Sequence, residues 1–324
     1  MSLLNVRVAR RWREAEGIDA FEITPVDASV TLPAYQAGAH IDVHLPNGMV
    51  RQYSLCGQPE ASGAQGNRYR IAVLREEAGR GGSRYLHEQV FEGQVLSIGL
   101  PRHAFGLQAD SAPSVLLAGG VGITPLLAMA YELAARGCEF HMHLFARSRA
   151  RAPFQSELAS ERLAGRVTLH FDDEALPGQP PALATVLSKA DANARAYVCG
   201  PAGFLDCARE EWAARGRPEE RFHFESFVPV APAADAGTFE VEVASTGQVV
   251  TVAADETVVA ALARCGVEVP LSCEQGICGT CLTGVREGIP EHHDMYLSDD
   301  ERARNDCFTP CCSRAKSARL VLAL

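Results

Sequence analysis

No stretch of this sequence is apolar for long enough to cross a membrane as a helix, and no short apolar core follows its first residues as a secretion signal would. There is no basic excess: the formal net charge is −10, which argues against nucleic acid as a partner. No internal repeat and no low-complexity tract is present. Membrane-spanning, nucleic-acid-binding and solenoid classes are thereby set aside. With 324 residues, 47% of them hydrophobic, the chain can bury two or three cores without help from disulfides. Its 11 cysteines are therefore read as thiols in a reducing cytoplasm, free to bind metal.

Four of them carry the clearest signal. Cys273, Cys278 and Cys281 read C-x4-C-x2-C within PLSCEQGICGTCLTG, and a further cysteine follows after a long gap in FTPCCSRA. This is the plant-type arrangement for a [2Fe–2S] cluster, in which one tight loop supplies three thiolates and a distant segment the fourth. Small residues in the loop (Gly276, Gly279 and Thr280) let backbone N–H groups approach the inorganic sulfurs. Structural zinc favours two compact ligand pairs, which the lone fourth cysteine does not provide. Cys307, Cys311 and Cys312 are all open as that fourth ligand. Cys311 gives the long gap usual of ferredoxins, and Cys312 reads as a packing residue beneath the site. Cys56, Cys138, Cys207 and Cys265 read as small buried hydrophobes.

The composition changes twice along the chain. Up to about residue 107, short alternating runs (Phe21–Thr24, His40–Leu45, Tyr69–Leu74, Val95–Ile98) separated by Gly/Pro turns predict an antiparallel β-barrel. From 108 to 228 the pattern is βα: strands over Val115–Ala118, Glu139–Phe145, Val167–Phe171 and Ala196–Cys199, with helices over Thr124–Arg136 and Pro201–Arg215, predict a parallel sheet. Residues 229–236 are Pro/Ala-rich and without period, as expected of a linker. From 237 to 324 the sequence predicts a hairpin turning at Thr246-Gly247, a helix over Asp255–Arg264 with Asp255 as N-cap, the cysteine loop, and a last strand over Arg319–Leu324. That is the β-grasp ferredoxin plan. This last segment holds 13 acidic against 7 basic residues, a surface that could steer docking onto a basic redox partner.

Four further constellations bear on chemistry. Arg51-Gln52-Tyr53-Ser54 places Arg51 and Tyr53 on one face of a strand and Ser54 on the other; Arg51 offers a cationic fork to phosphate and Tyr53 a ring or hydroxyl. Gly81-Gly82-Ser83 precedes a helix start, where exposed N–H groups suit an anion and Ser83 is expected to act as N-cap. Immediately after the strand Val115–Ala118 comes Gly119-Gly120-Val121-Gly122-Ile123-Thr124-Pro125, a loop suited to a pyrophosphate at a helix N-terminus. It departs from the G-x-G-x-x-G fingerprint, with Pro125 at the third glycine position and Arg147 rather than an acid near the end of the next strand. Cys199-Gly200-Pro201 stands at the carboxyl end of a later strand, where ligands gather in open α/β sheets.

Barrel with RxYS and GGS, then GGVGITP and CGP, then a plant-type cysteine loop: in this order the motifs resemble the phthalate dioxygenase reductase family of the ferredoxin–NADP reductase superfamily, with the vanillate O-demethylase reductases as close relatives. The resemblance spans essentially the whole chain. It implies FMN, NADH and one [2Fe–2S] cluster in a cytoplasmic, monomeric reductase that feeds a separate Rieske-type oxygenase, one acting on an aromatic acid of the vanillate or phthalate type. By the same resemblance Arg51, Tyr53 and Ser54 contact the flavin, with Gly81, Gly82 and Ser83 at its phosphate. Gly120, Gly122 and Thr124 receive the NADH diphosphate, and Cys199 and Gly200 flank the nicotinamide. Glu225 and Phe227 close over the flavin. Ser54, Cys199 and Glu225 form the reacting centre, and Cys311 is favoured as fourth cluster ligand. Arg147 could instead accept a 2′-phosphate, which would favour NADPH. A stand-alone NAD(P)H:acceptor reductase and a reductase for a quaternary-amine monooxygenase remain as alternatives.

Overall fold

The structure, a computed structural model, describes all residues except 1–2, 60–66, 78, 80, 104, 177–180, 228–236, 272, 273, 275, 277, 278 and 295. The expected linker, 229–236, and the expected ligands Cys273 and Cys278 lie outside the described residues. The chain divides into two compact units, Met1–Phe227 and Val228–Leu324.

The first unit opens with an antiparallel sheet of β1 (Leu4–Ala15), β2 (Ile18–Pro25), β3 (Ala39–His44), β4 (Val50–Ser54), β5 (Tyr69–Leu74), β6 (Val95–Ile98) and β7 (Arg102–His103). Its order is β4-β3-β6-β1-β2-β5, with β7 on β3. The alternating runs do what period two demands, sending Val6, Val8, Phe21, Ile23, Ile41, Val43, Ile71 and Val73 into one core. The segment expected as an antiparallel β-barrel is antiparallel throughout, and among the described residues its sheet does not close on itself. β4 ends at Ser54, and past that point the Cys56 N–H donates to the Arg70 carbonyl at 3.0 Å, without a strand ladder joining β4 to β5. Helix α1 (Gly82–Gln89) lies between β5 and β6 in the chain.

The second half of this unit is a five-stranded, wholly parallel sheet of β8 (Ser114–Gly119), β9 (Phe140–Ala146), β10 (Val167–Phe171), β11 (Arg195–Gly200) and β12 (Phe222–Ser226), in the order β10-β9-β8-β11-β12. Every residue of β8 is buried, as a central parallel strand covered on both faces must be. Helices α2 (Ile123–Ala135), α3 (Gln155–Leu158), α4 (Ala182–Lys189) and α5 (Ala202–Ala213) complete it. Helix α2 is apolar nearly all round because it is sandwiched: Leu126, Leu127, Met129 and Ala130 are buried with Ala37, Cys56 and Phe105 from the antiparallel half. Burying one such leucine contributes roughly 1.5–3 kcal/mol, so the shared core welds the two sheets.

The second unit is a mixed sheet with the order β14-β13-β19-β15-β17, built from β13 (Phe239–Val243), β14 (Gln248–Val252), β15 (Thr283–Glu287), β17 (Cys307–Phe308) and β19 (Arg319–Leu322). A small pair, β16 (Pro290–Glu291) with β18 (Arg314–Ala315), and helices α6 (Val258–Arg264) and α7 (Asp299–Arg304) complete it. Phe239, Val241 and Val243 point inward, while Glu240 and Glu242 point out to Arg319. Thr257, not the expected Asp255, caps α6, its hydroxyl accepting the Ala260 N–H at 3.2 Å. Helix α7 carries a capping box between Ser298 and Glu301. Arg314 is buried and donates to the carbonyls of Gly237, Ala253 and Glu256 at 2.8–3.0 Å, with its guanidinium over the Phe239 ring.

Candidate functional site

Because all five strands of the parallel sheet run the same way, their carboxyl ends share one edge, and four sequence motifs converge there. Gly119–Gly122 follows β8, Arg147 follows β9, Cys199-Gly200 ends β11 and Ser226-Phe227 ends β12. In β11 and β12, Cys199 is the register partner of Glu225. The loop after β8 reaches the same place: a Cβ on Gly122 would stand 2.2 Å from the Cys199 carbonyl oxygen and 2.8 Å from the Gly200 nitrogen. Only a glycine allows that approach. Gly120 adopts φ +54, and the Thr124 hydroxyl donates to the Val121 carbonyl at 3.0 Å, closing the turn into α2.

From the antiparallel half, β4 brings Ser54 to this edge. Its hydroxyl hydrogen-bonds the Glu225 carboxyl, which is buried and has a second oxygen, Oε2, without a partner. Burial pushes that carboxyl up to about 8, and the Ser54 hydrogen bond opposes the shift only in part. At neutral pH Glu225 is thus largely protonated and can donate as well as accept. Cys199 is fully buried; burial first, and then the Glu225 charge, raise its thiol well above the ordinary range. It stays S–H and acts by packing, not as a thiolate. Ser54, Cys199 and Glu225, far apart in sequence, therefore meet.

The other half of the site lies along β4. Arg51 and Tyr53 share a face, both half-buried, and burial raises the Tyr53 phenol. The Arg51 side chain runs directly over Gly82: a Cβ there would meet its Cγ at 2.5 Å and its Nε at 2.7 Å. Gly81 is left-handed (φ +83) and itself forms the N-cap of α1, so the expectation that Ser83 caps the helix is corrected. Ser83 lies inside the first turn and its hydroxyl oxygen accepts the Glu76 N–H at 3.1 Å. A guanidinium beside a glycine turn at a helix start is a fitting cradle for a phosphate. Arg147 is exposed, as is Phe227.

In the second unit, Cys281, Cys311 and Cys312 are buried in one core. Gly276 (φ +72) and Gly279 (φ +68) are left-handed and crowded, Gly276 by the Cys312 sulfur and Gly279 by the Tyr296 ring. The Cys312 thiol faces Thr309, 3.3 Å from its hydroxyl, which matches a packing residue beneath the loop. Buried soft donors and left-handed glycines suit an iron–sulfur cluster.

Two features lie outside the motifs read from the sequence. Arg70 joins Glu157, 87 residues away, through two bonds of 2.8 Å. His141, His143 and His170 form a row on neighbouring strands, with His143 Nδ1 and His170 Nε2 at 3.0 Å. Desolvation, and then the neighbouring imidazoles, push His143 down to about 3. The alternation in His141-Met142-His143 was the available signal for that row.

The fold and the site define an oxidoreductase that combines a flavin and a pyridine nucleotide with a 2Fe–2S domain. Residues 241–316 match the family model of the 2Fe-2S iron-sulfur cluster binding domain. The chain is 46% identical to the vanillate O-demethylase oxidoreductase of Pseudomonas putida over 99% of its own length and 100% of the relative's. It is 49% identical to that of Pseudomonas sp. (strain HR199 / DSM 7063), over 96% of each chain. A solved phthalate dioxygenase reductase, described as a modular structure for electron transfer from pyridine nucleotides to [2Fe-2S], superposes with a TM-score of 0.72 at 35% identity, covering 100% of this chain and 98% of that one. The chain belongs to the vanillate O-demethylase oxidoreductase family. No helix among the described residues is long and apolar enough to cross a membrane.

Proposed function

We propose that this chain takes a hydride from NADH onto FMN and passes electrons singly, through a [2Fe–2S] cluster, to a terminal Rieske-type oxygenase acting on an aromatic acid of the vanillate or phthalate type. The observation that carries the hydride step is the pairing of Ser54 with the buried Glu225 beside Cys199. When bound, the flavin supplies the conversion of a two-electron donor into single electrons. The chain's own groups position and protect. Ser54 and Glu225 hold a proton between them beside the reacting face. The Cys199 thiol, buried and un-ionised, would pack beside the nicotinamide. The buried edge excludes water.

FMN rather than FAD is supported by the Arg51–Gly82 cradle, which suits a terminal phosphate. NADH is favoured by the family resemblance; the exposed Arg147 is the group that would meet a 2′-phosphate. Cys273, Cys278, Cys281 and Cys311 are proposed as the ligands, in a domain spanning 237–324. The flavin and nucleotide domains are proposed as 1–107 and 108–228, in a cytoplasmic monomer. The oxygenase partner is supported by the relatives of vanillate O-demethylase.

The test is to mix the purified chain, NADH and vanillate with the terminal component of a vanillate demethylase. NADH oxidation coupled to demethylation is expected. In Cys273→Ser the coupled reaction and cytochrome c reduction should vanish, while NADH oxidation by a direct flavin acceptor persists. Loss of both activities together would contradict this division of labour.

A further inference from the structure

Arg70 lies on β5, outside the motifs that define the site, and it makes an unusual set of contacts. Its backbone carbonyl accepts the Cys56 N–H at 3.0 Å, and its Nη2 donates back to the Cys56 carbonyl at 2.6 Å. Cys56 is two residues beyond Ser54, so Arg70 grips the end of the strand that carries the Arg51–Ser54 motif from both sides. The same guanidinium makes a bidentate pair with Glu157 on α3, in the nucleotide half, at 2.8 Å for each bond. Glu157 in turn accepts the Tyr131 hydroxyl, and Tyr131 is on α2, the helix that starts at the Gly120–Gly122 loop.

Beneath the guanidinium, 4.9 Å from it, is the ring of Phe154, a buried residue held in the left-handed region at φ 61. A bulky residue persists in that conformation only where its surroundings over-determine it. Phe154 is pinned from the antiparallel half as well, its N–H donating to Glu14 at 2.9 Å. Arg70 and Glu157 are each only about one-fifth to one-quarter exposed, at 19% and 24% of their side chains. A bidentate pair in that setting has one geometry, which a Lys or the shorter carboxylate of an Asp would not reproduce.

We propose that Arg70, with Glu157 and Tyr131, is a positioning interlock for hydride transfer: it fixes the Ser54-bearing strand in register with the helix that begins at the dinucleotide loop. No member touches a reacting atom. Hydride transfer demands a near-attack separation of about 3–3.5 Å, so a small slip between the two halves would reduce the rate without removing any binding group. This inference rests on the hydride reading given above.

The experiment is stopped-flow reduction of the bound flavin in the full chain, comparing wild type with Arg70→Met, Glu157→Gln and Tyr131→Phe. The rate at saturating NADH should fall at least tenfold in Arg70→Met and severalfold in Glu157→Gln, and least in Tyr131→Phe. The NADH dissociation constant should change less than threefold. The long-wavelength charge-transfer absorbance on mixing should weaken in the same order, and amide exchange at Cys56 should quicken in Arg70→Met. Variants that melt earlier yet keep the wild-type saturating rate and charge-transfer absorbance would reduce the network to a structural tie and overturn the proposal. Should Arg70→Met not fold, wild-type rates in both milder variants would overturn it equally. A wild-type flavin that no reduced pyridine nucleotide can reduce would instead sink the hydride reading.

Discussion

The antiparallel and parallel halves of the first unit each present a glycine turn to the site, and the two are crowded by different kinds of atom. Above Gly82 runs the Arg51 side chain, whose Cγ, Nε and Cδ fill the place of a Cβ at 2.5–3.0 Å. Above Gly122 sits the backbone of the neighbouring strand, the Cys199 carbonyl and the Gly200 nitrogen. A side chain can swing away; a strand hydrogen-bonded on both sides cannot. The antiparallel half is thus adjustable at its Gly81-Gly82 turn, whereas the parallel half is rigid where its loop meets β11.

The sharpest way to break that contrast is Gly122→Ala. The added methyl must displace β11 or the loop, so NADH-driven flavin reduction should fall more than tenfold and stability by about 1–3 kcal/mol, typical of overpacking. Stopped-flow kinetics and thermal melting read both, while flavin content should stay near wild type.

Glu225→Gln addresses the parallel half through its buried acid. Burial pushes the wild-type carboxyl up to about 8 when folded, from an ordinary value of 4.5 in the unfolded chain. Below 4.5 both states are protonated; as pH rises toward and through 8 the unfolded chain has already released its proton and the folded chain is penalised. The stabilisation of Glu225→Gln over wild type should therefore grow between these limits, to on the order of a few kcal/mol, and level off above them. Denaturant midpoints at pH 5 and pH 9 give the difference; an unchanged gap would place a solvated, ordinary carboxyl there.

Gly82→Ala is the mildest. Arg51 should rotate aside and flavin retention on dilution should fall only severalfold, followed by the return of free flavin fluorescence. A more than tenfold loss of flavin retention, matching in size the fall in NADH-driven reduction expected of Gly122→Ala, would erase the distinction between the two turns.

Much of this organisation was legible in the sequence because it is local. Alternation located β2, β3, β5 and β6, a continuous apolar run located β8, and Thr246-Gly247 marked the hairpin that joins β13 and β14. The glycine motifs could be placed at strand ends because the strand before them was readable. What failed was decided by competition among neighbours or by distant partners. Asp255 and Thr257 are both good N-caps; with Glu256 engaged by Arg264 and by the Ala253 N–H, the cap falls two residues later and Thr257 takes the role. Ser83 lost its capping role to a left-handed glycine two residues earlier, because its hydroxyl meets the Glu76 N–H. Sheet closure depends on whether β4 and β5 form a full ladder, which no run of residues announces. The Arg70–Glu157 pair joins residues whose own surroundings in the chain are unremarkable; only the docking of α3 against β5 brings them together.

The hydrogen bond from Arg314 to the Gly237 carbonyl ties the first described residue of the second unit to the segment that carries Cys311 and Cys312. Arg314 is three residues from Cys311, and its buried charge is satisfied by carbonyls alone, one of them on the first described residue of the unit. Trimming the chain past Gly237 would strip an acceptor from a buried cation next to the cysteine segment, a defect far larger than the loss of one exposed glycine suggests. Anyone moving this ferredoxin module onto another protein should therefore join it ahead of Gly237, in the Pro/Ala-rich segment, and leave that carbonyl in place.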